Sequence, residues 1–150
     1  GRPIGDFGTA YTYRAMVALV GLGANTVDVA IYPKTHTDAA GAALTGEKTY
    51  TIHFETLPPT LEGGFWSVTA YNEENFLIDN PIDRYCVNDR SAYRLNEDGT
   101  LDITLSKEAP EDPSNWLPVS DGEFHLFMRI YLPDMNALDA WQPPVIHIQE

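Results

Sequence analysis

Apolar and polar residues alternate one by one through several short stretches of this chain. In Phe65-Trp66-Ser67-Val68-Thr69-Ala70-Tyr71, the residues Trp66, Val68 and Ala70 fall on one side, and Phe65, Ser67, Thr69 and Tyr71 on the other. A period of two is a strand with one apolar face. Lys48 to Glu55 repeats the pattern, with Tyr50, Ile52 and Phe54 set against Thr49, Thr51, His53 and Glu55 until Leu57-Pro58-Pro59 breaks it. Phe124 to Tyr131 turns Phe124, Leu126, Met128 and Ile130 toward a core. Shorter strands are predicted at Val27 to Tyr32 (ended by Pro33), Asn75 to Asp79, Arg84 to Asn88 and Val145 to Gln149. Tyr93-Arg94-Leu95 and Leu101 to Leu105 flank Asn96-Glu97-Asp98-Gly99, a four-residue hairpin loop with Gly99 at positive φ. Lys34 to Gly46 and Lys107 to Asp121 read as loops, the second pinned by Trp116, and Asp134 to Ala140 holds one helical turn. Eight or nine short strands with turn signals between them predict a two-sheet sandwich.

One stretch has a different period. Ala10 to Leu22 is the strong helix candidate, capped by Thr9 and ended by Gly21 or Gly23. Ala15, Met16, Val17, Ala18, Leu19 and Val20 wrap most of the way round it. A helix apolar on several faces is buried on several faces. It either sinks into this domain's own core or packs one face on the sandwich and another on a partner domain or a second copy of the chain, which would make a homo-oligomer. The division is a linker and helix over 1–25 leading into a sandwich over 26–150.

Composition narrows the classes. A chain of 150 residues can build one domain with a core of its own. Eleven glycines and eleven prolines match the many turns of an all-β fold. A net charge of −13 argues against nucleic acid, whose phosphates need basic patches, and against anionic membrane surfaces. No apolar run approaches the roughly 18 residues of a spanning helix. Cys86 is the single cysteine, so no internal disulfide can form. Gly1 stands where an initiator Met would, so the chain reads as an excised piece with any export signal upstream.

Four constellations are candidates for chemistry. In Asp79-Asn80-Pro81-Ile82-Asp83-Arg84-Tyr85, two carboxylates flank a tight turn followed by a guanidinium and a phenol. Asp79, Asp83, Arg84 and Tyr85 are therefore the catalytic candidates, the carboxylates as acid and base and Arg84 gripping an anion. The competing readings are a turn latched by Asn80 with Arg84 paired to a neighbouring strand's carboxylate, and a calcium site, for which the turn offers too few oxygens. His53, His125 and His147 each fall opposite the core phase of a predicted strand. If those strands are neighbours, three imidazoles can hold zinc, although no close histidine spacing supports it. Cys86 sits mid-strand as a small buried hydrophobe rather than a nucleophile. Tyr71, Phe127, Arg129 and Tyr131, with Phe65, lie on the faces opposite the core. They form either a stacking or docking platform or a second packing layer beneath the helix or the long loops. No cofactor is called for.

Several of these residues together resemble a known pattern. Phe65-Trp66-Ser67, Tyr71, Asn80-Pro81-Ile82, Arg84-Tyr85, Asp98-Gly99, Asn115-Trp116-Leu117-Pro118, Arg129-Ile130-Tyr131 and Trp141-Gln142-Pro143-Pro144 are similar to domain of unknown function 1214. Gly5-Asp6-Phe7-Gly8, Arg14-Ala15 and Gly21-Leu22-Gly23-Ala24-Asn25 resemble the approach to it. The resemblance implies a jelly-roll type sandwich, C-terminal to a partner domain (domain of unknown function 1254), in bacterial and often exported, periplasmic proteins. It implies no reaction. The fold expected is thus mainly β, a jelly-roll-like antiparallel sandwich with one N-terminal helix. For function, a non-catalytic binding or assembly module leads. A hydrolase-like enzyme, its carboxylate and Arg site shared with the missing domain, is the alternative.

Overall fold

A computed structural model describes residues 25–149. The predicted helix Ala10 to Leu22 lies outside them. The alternating stretches form the long strands: β3 (Tyr50–Phe54), β4 (Thr60–Asn72), β6 (Leu101–Ser106) and β8 (Phe124–Pro133). Shorter strands complete two sheets: β1 (Ala30–Ile31), β2 (Lys34–Thr35), β5 (Cys86–Asn88), β7 (Trp116–Pro118) and β9 (Val145–Ile148). Sheet A runs β1-β8-β4-β5, with β2 also on β8, and is antiparallel throughout. Sheet B runs β7-β6-β3-β9, antiparallel except for the parallel β6–β7 pair.

The core is the contact between the two alternating faces. Trp66, Val68, Ala70, Leu126, Met128 and Ile130 of sheet A meet Tyr50, Ile52, Phe54, Ile103, Leu105 and Ile146 of sheet B in one buried cluster. The faces interlock through aromatic pairs: Phe54 lies 5.7 Å from Trp66, and Tyr50 lies 6.0 Å edge-on from Phe124. Burying the Tyr50 ring would orphan its hydroxyl, but the hydroxyl accepts a hydrogen bond from the Thr45 amide at 3.1 Å.

The structure corrects the shorter predictions. Val27 to Tyr32 is mostly a turn, closed by bonds from the Val29 and Ala30 amides to the Thr26 carbonyl, and only Ala30–Ile31 pairs as a strand. Lys34–Thr35, inside a predicted loop, ladders onto β8. Asn75 to Asp79 contributes one isolated bridge, Leu77 to Tyr71. The Gly99 turn forms, with φ at +87°, but Tyr93-Arg94-Leu95 is not its other strand. Both edges of β6 are already occupied, by β3 and β7. Residue 94 is tied instead to the Asn115 side chain, which accepts from the Arg94 amide at 2.8 Å and donates to its carbonyl at 2.7 Å. Trp116 is not a pin within a loop but the start of β7, its indole N–H donating to the Ser106 carbonyl at 3.0 Å. The one described helix, α1 (Met135–Leu138), is a single turn capped by Asp134, whose carboxylate accepts from the Asn136 and Ala137 amides.

The two seams between the sheets close differently. At the β5–β7 seam, Arg84 crosses from sheet A to the segment entering sheet B. Its Nη1 donates to the carbonyls of Pro113 (2.9 Å), Ser114 (3.1 Å) and Trp116 (2.9 Å). At the β2–β9 seam, a backbone bond from the Ala39 amide to the Ile146 carbonyl (2.9 Å) joins the sides, and Trp141, Pro143 and Pro144 front the gap.

Candidate functional site

The outer face of sheet A gathers the binding candidates. Antiparallel register places Phe65 opposite Tyr131, Ser67 opposite Arg129, Thr69 opposite Phe127 and Tyr71 opposite His125. In the middle of the face the small Ser67 and Thr69 on β4 stand opposite the large Arg129 and Phe127 on β8, so the Arg129 side chain can lie down across the sheet. Arg129 does so. Its guanidinium donates to the Tyr71 hydroxyl at 2.9 Å and to Thr69 Oγ1 at 3.3 Å, with Cζ 5.4 Å from the Phe127 ring and 5.8 Å from the Tyr71 ring. Lys34 of β2, in register with Phe127, sets its ammonium 5.1 Å above the same ring. Two cations between aromatic faces are each held by the ring quadrupoles.

The two ends of this face differ. At one end Tyr131 stacks on Phe65 at 4.5 Å and meets Tyr32 edge-on at 5.9 Å. Asn25 donates to the Tyr32 hydroxyl at 2.9 Å, and Tyr32 donates to the Tyr131 hydroxyl at 3.4 Å. The Tyr32 contact, then burial, lifts the Tyr131 phenol above its ordinary value. At the other end His125 stacks on Tyr71 at 5.7 Å and lies 4.9 Å from His36. Burial, then the charges of Lys34 and His36, pushes His125 down, and its Nε2 has no hydrogen-bond partner. Tyr71, Phe127, Arg129 and Tyr131 are therefore brought together. Tyr32, Lys34 and His36 join them, which the sequence pattern did not single out because Pro33 interrupts any period there. The pairing of Lys34 with β8 is the signal that finds them.

The other candidates are placed apart. His53 and His147 lie on the outer face of sheet B, on neighbouring strands, and His125 lies on sheet A, so the three imidazoles do not meet. His53 instead contacts Asp102 through Nδ1 at 2.6 Å and Glu55 through Nε2 at 3.5 Å. The Asp102 carboxylate, with a smaller part from Glu55, holds this imidazole above the ordinary histidine value against the opposing effect of burial. In the Asp79 to Tyr85 turn, Asn80 is the latch: its Oδ1 accepts from the Ile82 and Arg84 amides, and its Nδ2 donates to the Ile78 and Arg84 carbonyls. Arg84 is committed to the three carbonyls across the seam rather than to a neighbouring carboxylate. Asp83, in the left-handed region at φ 51°, accepts from the Tyr85 hydroxyl at 3.3 Å. Loss of solvent, then the Asp83 charge, lifts Tyr85 above its ordinary value. Cys86 is half-buried, its sulfur accepting from the Asn88 side-chain Nδ2 at 3.4 Å, rather than sunk in the core.

The two shifted histidines give stability opposite pH dependences. A folded-state value raised at His53 is a contribution fully present below about 6.5, lost as pH rises through the folded value. The lowered value at His125 is a contribution present above about 6.5, lost as pH falls through the folded value. We therefore expect the urea midpoint difference between wild type and His53→Gln to be larger at pH 6 than at pH 9. A difference that does not change with pH would show that the Asp102 contact contributes nothing through charge.

Comparison with known proteins gives this fold a context. No functionally curated protein matches the chain in sequence. The crystal structure of the VPA0106 protein from Vibrio parahaemolyticus is similar, at 28% identity and TM-score 0.77, covering 91% of this chain and 35% of that one. A crystal structure of a putative uncharacterized protein from Burkholderia cenocepacia shares the fold at 20% identity and TM-score 0.60, covering 91% of this chain and 32% of that one. The chain thus spans about a third of the length of these two solved proteins. Residues 29–135, from the turn before β1 through α1's first residue, match the family described as "Protein of unknown function (DUF1214)", and the chain belongs to that family.

Proposed function

We propose that this chain is a binding and assembly module whose contact surface is the outer face of sheet A, and that the segment Ala10 to Leu22 lies on that face as a helix. One observation carries the reading: the outer face of sheet A gathers Tyr71, Phe127, Arg129 and Tyr131 into one aromatic and cationic platform. Asn25 is bonded to Tyr32, which packs against Tyr131, so residue 25 is tied to the Tyr131 end of this face. The lengths agree. A helix over Ala10 to Leu22 is roughly 20 Å long, and β8 from Tyr131 to His125 also runs roughly 20 Å. A helix over this segment would be apolar on more than one face, so covering the platform would leave a second face for the preceding part of a longer polypeptide. That part is the partner domain (domain of unknown function 1254), with 1–25 as its connection to the 26–150 sandwich. The greater length of the two solved proteins supports this arrangement. Consecutive strands that pass between the sheets, β3 in B, β4 and β5 in A, β6 and β7 in B, β8 in A and β9 in B, support a jelly-roll type winding.

Paired cysteines test the placement. In a Cys86→Ser background, Phe127→Cys is combined with cysteine at each position from Ala15 to Val20, and the proteins are mildly oxidised. A disulfide requires Cα atoms within about 7 Å. We expect crosslinks within one chain, recurring every three to four positions. Crosslinks between chains would transfer the face to a second copy, and no crosslink, with Lys34→Cys as a second reporter, would remove the helix from it.

A further inference from the structure

Among the described residues, the sandwich is not filled at the β2–β9 seam. Between the sheets lies a cavity of about 190 Å³, walled by Ile52, Val68, Leu126, Met128 and Ile146. Its mouth is formed by Trp141, Pro143 and Pro144 on one side and Pro33 to Thr35 on the other. The polar groups around it are already engaged. Thr35 Oγ1 donates to the Thr37 carbonyl at 3.0 Å and accepts from the Thr37 amide at 3.2 Å. The Trp141 indole N–H donates to the Thr56 carbonyl at 3.1 Å. Lys34 touches the rim, but its ammonium is turned to the Phe127 ring on the outer face. A water against the apolar wall would find few of the two to four partners it requires, so an apolar guest can displace it readily.

Nor can the wall collapse to fill the space. Proline rings fix φ at two successive mouth positions, the indole is tethered to Thr56, and Ile52 and Val68 are fixed within laddered strands. We propose that this cavity is a binding site for a small, uncharged, hydrocarbon-like molecule about the size of a substituted benzene ring. Apolar cavities of about 150 Å³ take up benzene, and this one is somewhat larger. It has no charge to hold an anion and no room for a peptide strand. The site is separated from the outer face of sheet A by the sheet itself, so it does not depend on what covers that face.

Toluene titrated into the whole chain is the test, read by methyl resonances. Saturable shifts are expected at Ile52, Val68, Leu126, Met128 and Ile146, with a rise in the unfolding midpoint. Val68→Phe, or Ile146→Phe should the first not fold, is expected to weaken binding at least tenfold while the sheet signals persist. Phe76→Ala, at an exposed side chain that does not line the cavity, is expected to leave it unchanged. Shifts that do not saturate, shifts centred on the outer-face residues, or undiminished binding in a folded cavity-filling variant would each overturn the proposal. Should neither variant fold, the wild-type titration decides: saturation confined to the five lining residues supports the site, and anything else removes it.

Discussion

Arg84→Ala is expected to lower the stability of the domain by about 2–3 kcal/mol, read as a fall in the urea midpoint. The reason is the seam it spans. The Nη1 hydrogens are shared among the carbonyls of Pro113, Ser114 and Trp116, which belong to the entry into β7, and Arg84 itself is held at the entry to β5 by Asn80. Alanine leaves the part-buried Ser114 and Trp116 carbonyls and the exposed Pro113 carbonyl without this donor and unties two edge strands of different sheets. For a domain of this size the melting point would fall by roughly 5–10 °C. Arg84→Lys keeps the charge but offers a point donor instead of a planar fork, so partial recovery is expected. An Arg84→Ala protein as stable as wild type would refute the latch and return the guanidinium to the list of groups available to an anion.

Gly46→Ala is expected to be at least as damaging, about 3 kcal/mol or more. A Cβ at this position would stand 1.7 Å from the Ser120 carbonyl oxygen and 2.8 Å from its carbon. Both atoms are backbone, so no rotamer change relieves the overlap. The bond from the Gly46 amide to the Gly122 carbonyl, the Thr45–Glu123 bridge and the Phe124-to-Leu44 bond all lie in the segment that would have to move. Gly99→Ala is the control. Gly99 has φ +87° but open space around it, so alanine meets only the left-handed penalty of about 1 kcal/mol. Chemical denaturation of both variants should rank Gly46→Ala well above Gly99→Ala, and the reverse order would show that the contact at Ser120 yields easily.

The long strands were legible because five or more alternating residues with one buried face leave little choice of register or side. Tyr50, Ile52 and Phe54 on β3, Trp66, Val68 and Ala70 on β4, and Phe124 to Ile130 on β8 are all of this kind. The short strands were legible only in part: β5 and β9 fall within the predicted Arg84 to Asn88 and Val145 to Gln149, whereas β2 and β7 fall in predicted loops. Two or three residues carry no period, and β1, β2, β5 and β7 exist because a longer strand beside them has unpaired amides and carbonyls. The Tyr93-Arg94-Leu95 arm failed for the converse reason, since its pattern is local but the edge it needed was taken. The same division runs through the site. Tyr71, Phe127, Arg129 and Tyr131 could be found by phase alone, whereas Lys34 arrives on a strand too short to show one and Tyr32 lies just past the end of β1. The acceptors of Arg84 are main-chain carbonyls, which leave no mark on sequence, so a carboxylate partner was the natural but mistaken expectation.

The unequal seams make opening of the sandwich lopsided. With β5 and β7 bolted together by Arg84, the sheets would part last on that side and first where Pro143 and Pro144 face Pro33, once the single Ala39-to-Ile146 bond yields. A guest could then slip in and out of the interior without any long strand leaving its ladder, so exchange would be set by small swings of a loop rather than by unfolding.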